Sequence, residues 1–141
     1  MAEDAQSVAE RAVAELWAPD RATQGLGMQI VKVAPGAVSI GMTVRDDMAN
    51  GHGICHGGFI FTLADSAFAF SCNSAGEATV AASAQIEFLE AVRVGERLTA
   101  AGRMLWERGR QGIYAVDVCR EDGTLVALFR GRSHKISRSA S

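Results

Sequence analysis

The sequence predicts an α+β domain: a curved, mostly antiparallel sheet of six strands wrapped around one buried helix, with an additional helix ahead of it. Three observations carry this. The stretch from Gly57-Gly58 to Asn73 is helical in pattern and apolar all round, through Phe59, Ile60, Phe61, Leu63, Ala64, Ala67, Phe68, Ala69 and Phe70. A helix of that kind is buried in the middle of something. The segments after it alternate apolar and polar residues over strand lengths. Short glycine-bearing turns join those segments, which makes them antiparallel hairpins. A lone apolar helix among such strands is stable when a sheet curls over it.

Taken in order, Val8, Ala9, Ala12, Val13, Leu16 and Trp17 recur at helical spacing from about Asp4 to Trp17. Glu10, Arg11 and Glu15 lie off that stripe, so this helix caps a surface, and Pro19-Asp20 ends it. Met28 to Val33 reads as a short strand and Pro35-Gly36 as a turn. Val38, Ile40, Met42 and Val44 mark one face of a second strand. After the central helix, Asn73-Ser74-Ala75-Gly76 breaks the pattern, and Val80, Ala82, Ala84, Ile86 and Phe88 are expected on one face of a long strand. A strand from about Leu98 to Glu107 follows the turn Arg93-Val94-Gly95-Glu96, and a basic tip, Arg108-Gly109-Arg110-Gln111-Gly112, follows that strand. Tyr114, Val116 and Val118 share one face of the next strand, and Glu121-Asp122-Gly123 turns into a last one from about Thr124 to Ile136. Residues 1–141 are expected to form a single domain, with 1–24 as N-terminal helix and linker and 137–141 as a flexible tail.

Composition narrows the function classes. An apolar content of 48% with 21% charged residues describes an ordinary soluble domain. A net charge of −2 argues against nucleic-acid binding as the main task. The central helix is too short and too interrupted to span a membrane. The acidic start, Met-Ala-Glu-Asp, is neither a signal nor a transit peptide, and three scattered cysteines, Cys55, Cys72 and Cys119, read as free thiols, so a cytoplasmic setting is expected.

The run N-G-x-G-x-x-H-G-G-x-x-F-x-L-A-D-x-A-F-A at residues 50–69, with A-S-A-Q-I-E-F-L at 82–89 and the Gly-Arg-x-Gly tip, resembles the hotdog-fold acyl-CoA thioesterases, and most closely the phenylacetate-degradation branch. The resemblance spans roughly residues 25–135. It implies hydrolysis of an acyl-CoA thioester carrying a short or aromatic, phenylacetyl-type acyl group, with no cofactor and no metal. It also implies a homodimer that completes the active site, often as a dimer of dimers. Residue by residue, it implies that Asp65 is the catalytic carboxylate and that the Gly57 N–H polarises the thioester carbonyl. Asn50 would hold the water or the thioester, and His56 is the motif's histidine, its role unassigned. Ala69, a turn after Asp65, is apolar where some relatives in the wider fold carry a hydroxyl.

The residues support several of these roles by themselves. Gly57-Gly58 opens a helix, where N–H groups lack partners and the dipole favours negative charge, as on a developing oxyanion; Gly58 and Phe59 would then border the substrate. The same glycines also suit a helix entry that simply needs close packing. Asp65 is the only charge on the helix, which makes it either a base or nucleophile, or a core carboxylate satisfied elsewhere. Gly57 and Asp65 stand eight positions apart, about 12 Å along a straight helix, too far to act on one thioester from one chain. Two antiparallel copies bring them together. Arg108 and Arg110 suit CoA phosphates, or else decorate a solvated loop. His52, Cys55 and His56 raise a metal or a thiol nucleophile, without an evident fourth ligand. Asp47, Asn50 and His52 echo an enoyl-CoA hydratase of the same broad fold, but Gly51 stands where a proline is expected. A non-catalytic acyl-CoA-sensing module is the remaining alternative.

Overall fold

The computed structural model describes residues 3–136, so the expected tail at 137–141 lies outside the described residues. Its helices are α1 (Ala5–Trp17), α2 (Arg21–Gly25) and α3 (Gly57–Asn73); its strands are β1 (Gln29–Ala34), β2 (Ala37–Thr43), β3 (Thr79–Phe88), β4 (Arg97–Arg108), β5 (Gln111–Arg120) and β6 (Leu125–Lys135). The strands form one six-stranded sheet in the order β1-β2-β4-β5-β6-β3, and each neighbouring pair is antiparallel. The sheet curls over α3, as the sequence predicts.

Alternation places Val38, Ile40 and Met42 of β2 inward, fully buried, and Tyr114, Val116 and Val118 of β5 likewise. Two glycines let the sheet approach the helix: a Cβ at Gly131 would sit 2.7 Å from the Phe68 ring, and one at Gly102 would run into the Ser71 hydroxyl. Polar ties fix the helix axially. Ser71 Oγ accepts the Val38 N–H at 3.0 Å, and Ser74 Oγ accepts the Gly36 N–H at 2.8 Å. The Asn73 side chain donates to the Thr79 carbonyl and accepts its N–H, at 3.0 and 2.9 Å. The C-terminal end of α3 therefore lies at the start of β3. Its N-terminal end lies at the finish, where a Cβ on Gly57 would be 3.0 Å from the Phe88 ring.

Helix α1 caps the outside of α3 as expected. Asp4 is its N-cap, accepting the Ser7 N–H at 2.7 Å, and Trp17 packs on Phe70 with ring centroids 6.0 Å apart. Helix α2 falls where the sequence reading has only linker. Asp20 caps it through the Thr23 N–H, and the Thr23 hydroxyl meets Ser66 of α3 at 2.8 Å.

Two expectations need correction. The outer strand β3 does not keep a single alternation. A β-bulge between Ala81 and Ser83 adds a residue, so Ala81 pairs with buried Ser133 while Ala84, Ile86 and Phe88 pair with Gly131, Phe129 and Ala127. The inward set is Thr79, Ala81, Ala84, Ile86 and Phe88, and Val80 points out. Nor is α3 covered on every side. Gly58, Thr62, Asp65, Ala69 and Asn73, which fall on one helical face, are only half-buried or exposed, because the described residues of one chain lay no element over that face. Among the described residues, no helix is long and apolar enough to cross a membrane.

Candidate active site

The loop ahead of α3 is built by backbone pairing. Asn50 N–H donates to the Ile54 carbonyl at 2.8 Å, Cys55 N–H to Val92 at 2.7 Å and His56 N–H to Met48 at 2.7 Å. The Asn50 side chain closes the turn: its Oδ1 accepts the N–H groups of His52 and Ile54 at 2.9 and 3.3 Å. That fixes the amide orientation, because only the oxygen can accept. Its Nδ2 is left as a donor, with no acceptor among the described residues.

His56 is the N-cap of α3. Its Nδ1 accepts the Gly58 N–H at 3.0 Å, and its ring stands edge-on to Phe59, centroids 6.2 Å apart. This is the role the sequence leaves unassigned, and histidine is not among the usual capping residues that would have signalled it. The consequence falls on Gly57. The first four N–H groups of a helix lack helical acceptors. Here Phe59 N–H turns back to the His56 carbonyl and Gly58 N–H goes to the imidazole, while Gly57 N–H has no acceptor among the described residues.

Asn50 and Gly57 line one crevice of 360 Å³, with Ile54, Ile60, Phe88 and Glu90. Glu90 is a carboxylate at the mouth that the sequence reading missed; nothing in its local pattern distinguishes it. A larger hollow of 620 Å³ shares Glu90 and Ala91, but its charges are partly neutralised in place, as in the Arg120–Glu96 pair at 2.9 Å. No residue of α3 lines it, so it offers no free helix N–H, and the smaller crevice is the better candidate.

Asp65 is not in that crevice. It sits on the open face of α3, half-buried, with no hydrogen bond or ion pair among the described residues, and burial raises its carboxyl above the usual range. One chain therefore brings Asn50, Gly57 and the capping His56 together and leaves Asp65 about 12 Å along the helix axis. Arg108 and Arg110 are exposed and also apart. Arg108 pairs across the sheet with Gln111, then His134, then Val80. The crevice lies at the Phe88 end of β3, eight residues on, which is roughly 26 Å at strand rise.

The other readings gain no support. No group of three or more His, Cys, Asp or Glu residues able to hold a metal occurs among the described residues. The Cys55 thiol donates to the His56 carbonyl at 3.5 Å and burial pushes it up, the reverse of thiolate activation. Asp47 is engaged by Arg45 at 3.0 Å, and no bond links it to His52, so the hydratase-like trio does not converge.

The family model for the thioesterase superfamily matches residues 52–127. The acyl-coenzyme A thioesterase PaaI of Escherichia coli is 40% identical over 121 residues, 86% of each chain. The solved structure of the E. coli PaaI protein, from the phenylacetic acid degradation operon, superimposes with a TM-score of 0.93 at 36% identity, covering 95% of this chain and 97% of that one. A crystal structure from Thermus thermophilus matches at 0.80 with 37% identity, over 83% of this chain and 98% of its own.

Proposed function

The chain belongs to the thioesterase superfamily and is a thioester hydrolase; on that footing we propose that it cleaves an acyl-CoA with a small aromatic acyl group of the phenylacetyl class, in an active site shared between two copies of the chain. The observation that carries the reading is the Gly57 N–H, left without an acceptor at the dipole-positive end of α3 and facing the same crevice as the Asn50 amide. A thioester carbonyl oxygen accepts from that N–H, and the negative charge that develops on it as the carbon becomes tetrahedral is stabilised there. Asn50 Nδ2 supplies a second donor for the attacking water or the thioester. The carboxylate of Asp65 acts on the carbonyl carbon, either by direct attack or by taking the proton of a water that attacks. In both routes the C–S bond breaks, CoA leaves as the thiolate, and water supplies the oxygen of the acid released.

The second copy is required because the carboxylate of the same chain is out of reach. Two features support it. Among the described residues the outer edge of β3 is unpaired and the strand is exposed along most of its length, with Phe88 53% and Leu89 48% exposed beside the crevice, a surface that natural sheets cover. The open face of α3 carries Asp65 and small side chains, which suits close contact with another helix. Antiparallel pairing of β3 with its copy sets the Val80 end of one strand beside the Phe88 end of the other. The partner subunit's Arg108 and Arg110 then stand at the crevice's end of the joined sheet, roughly 19 Å across it, where guanidinium groups suit phosphates at the far end of CoA.

The test is a panel of acyl-CoA thioesters with released CoA read by a thiol reagent. Phenylacetyl-CoA or a hydroxylated relative should head the panel, and Asp65→Asn should lose nearly all turnover while remaining folded and dimeric. Near wild-type turnover by that variant would refute the assignment.

A further inference from the structure

At the opposite end of α3 from the crevice lies a second cavity, of 290 Å³, closed by α1 on one side and the sheet on the other. Val8 of α1, Pro35, Cys72 of α3, Met104 and the Tyr114 ring form its apolar wall. Tyr114 is 2% exposed, and its hydroxyl has no hydrogen-bond partner among the described residues. The oxygen is not sealed in, since every fully buried side-chain N or O among the described residues has a partner, and the cavity is the space the tyrosine borders. Burial, with Cys72 and Glu107 near, holds its proton well above the ordinary tyrosine range, so it is a donor. The charges at the rim, Lys135 and Glu107, already pair with each other at 3.6 Å, and Lys135 also pairs with Glu77 at 3.3 Å, so the cavity offers no net charge to an ion.

We infer that this cavity is a second, non-catalytic binding site for a small uncharged aromatic molecule bearing one hydroxyl or carbonyl oxygen, which accepts from Tyr114. Size, wall and donor select that class. A cavity of about 150 Å³ already holds benzene, so this one takes a substituted single ring. Two sulfur-bearing side chains, Cys72 and Met104, favour aromatic contacts over aliphatic ones. Because the rim charges already pair with each other, a carboxylate or an ammonium would enter without an unpaired counter-charge, and an uncharged ring is favoured. Neither Asn50, Gly57 nor Asp65 lines the cavity, so the site stands independently of the proposed catalytic reading.

The experiment is calorimetric titration of the full chain with p-cresol and, separately, with toluene, which has the same ring but no acceptor. Binding of p-cresol is expected at a Kd of roughly 0.1–1 mM, as suits eight heavy atoms. Tyr114→Phe, which removes one oxygen, should weaken p-cresol about three- to tenfold and leave toluene unchanged. Val8→Trp, filling the cavity from α1, should abolish both. The inference is overturned by wild-type chains that bind neither probe at about 5 mM, the range a fragment of this size must reach. It is equally overturned by Val8→Trp chains that bind p-cresol as wild type, or by Tyr114→Phe chains that lose both probes alike or neither. Hydrolysis of acyl-CoA by Val8→Trp should persist, so failure here is separable from failure of the catalytic proposal.

Discussion

Replacing His56 separates a structural role from a chemical one. The imidazole accepts one hydrogen bond, from the Gly58 N–H at 3.0 Å, and it is exposed, so its contribution is that of an N-cap. Loss of such a cap costs about 1 kcal/mol, within a range of about 0.5–2. For a domain of this size that lowers Tm by about 3–5 °C. His56→Ala also frees the Gly58 N–H and loosens the turn that aims its neighbour, Gly57. On the proposed role of the Gly57 N–H, a donor of a kind worth about 10²–10³ in rate is then held less firmly, and a fall in kcat of about tenfold is expected, well short of losing the donor outright. His56→Asn is the informative control. Asparagine is among the best N-caps and its Oδ1 reaches the same N–H. It should restore Tm to within about 1 °C of wild type and kcat to within about threefold. The assays are thermal unfolding and steady-state hydrolysis on the same preparations. If His56→Asn is stable yet as inactive as His56→Ala, the imidazole takes part in the chemistry and the capping argument is wrong.

Three other outcomes are expected. Asn50→Asp keeps the oxygen that accepts from His52 and Ile54 but removes the Nδ2 donor, so the loop should hold while kcat falls; unchanged kcat would remove Asn50 from the site. For Asp65, burial raises the folded-state pKa, so the folded protein binds the extra proton, and stability is lost as pH rises through that raised value. Asp65→Asn should therefore raise Tm at neutral pH, with the gain vanishing below the ordinary carboxylate range, while the acid limb of wild-type kcat lies above that range. A Tm gain that persists undiminished in acid would contradict the assigned shift. Arg108→Ala with Arg110→Ala should raise KM for acyl-CoA more than it lowers kcat and should spare an acyl-pantetheine lacking the nucleotide. Equal damage to both substrates would make the tip structural.

The sheet, the wrapped helix and the capping α1 were legible because each depends on a period that the sequence carries directly, as in Val38, Ile40 and Met42. The β3 phase was not, since a bulge at Ala81–Ser83 leaves a run of small residues that fits either face. Helix α2 is five residues long, too short for a periodic signal, although Asp20 three positions before Thr23 is the cap that announces it. At the site, the motif and the lone charge point to Gly57 and Asp65, and helix rise alone separates them. The capping of Gly58 by His56 was hidden, because which ring nitrogen meets which N–H depends on backbone angles. The open face of α3 was hidden too, since Ala69 and its neighbours look core-like in sequence wherever they point.

The claim that one active site takes its glycine from one chain and its aspartate from the other is tested by complementation. Asp65→Asn inactivates one chain. Gly57→Pro is the matching partner variant: Gly57 is the first residue of α3, where proline is well tolerated, and His56 before it has an extended backbone, φ −62° and ψ 131°, compatible with a following proline. The ring displaces Phe88, which is exposed enough to move, and the N–H is gone. Each homodimer should be nearly inactive. After subunit exchange, one site in each heterodimer receives both lesions and the other receives none, so activity should return to as much as half of wild type per heterodimer. Heterodimers verified by mass, with both variants folded, that stay inactive would contradict the shared site.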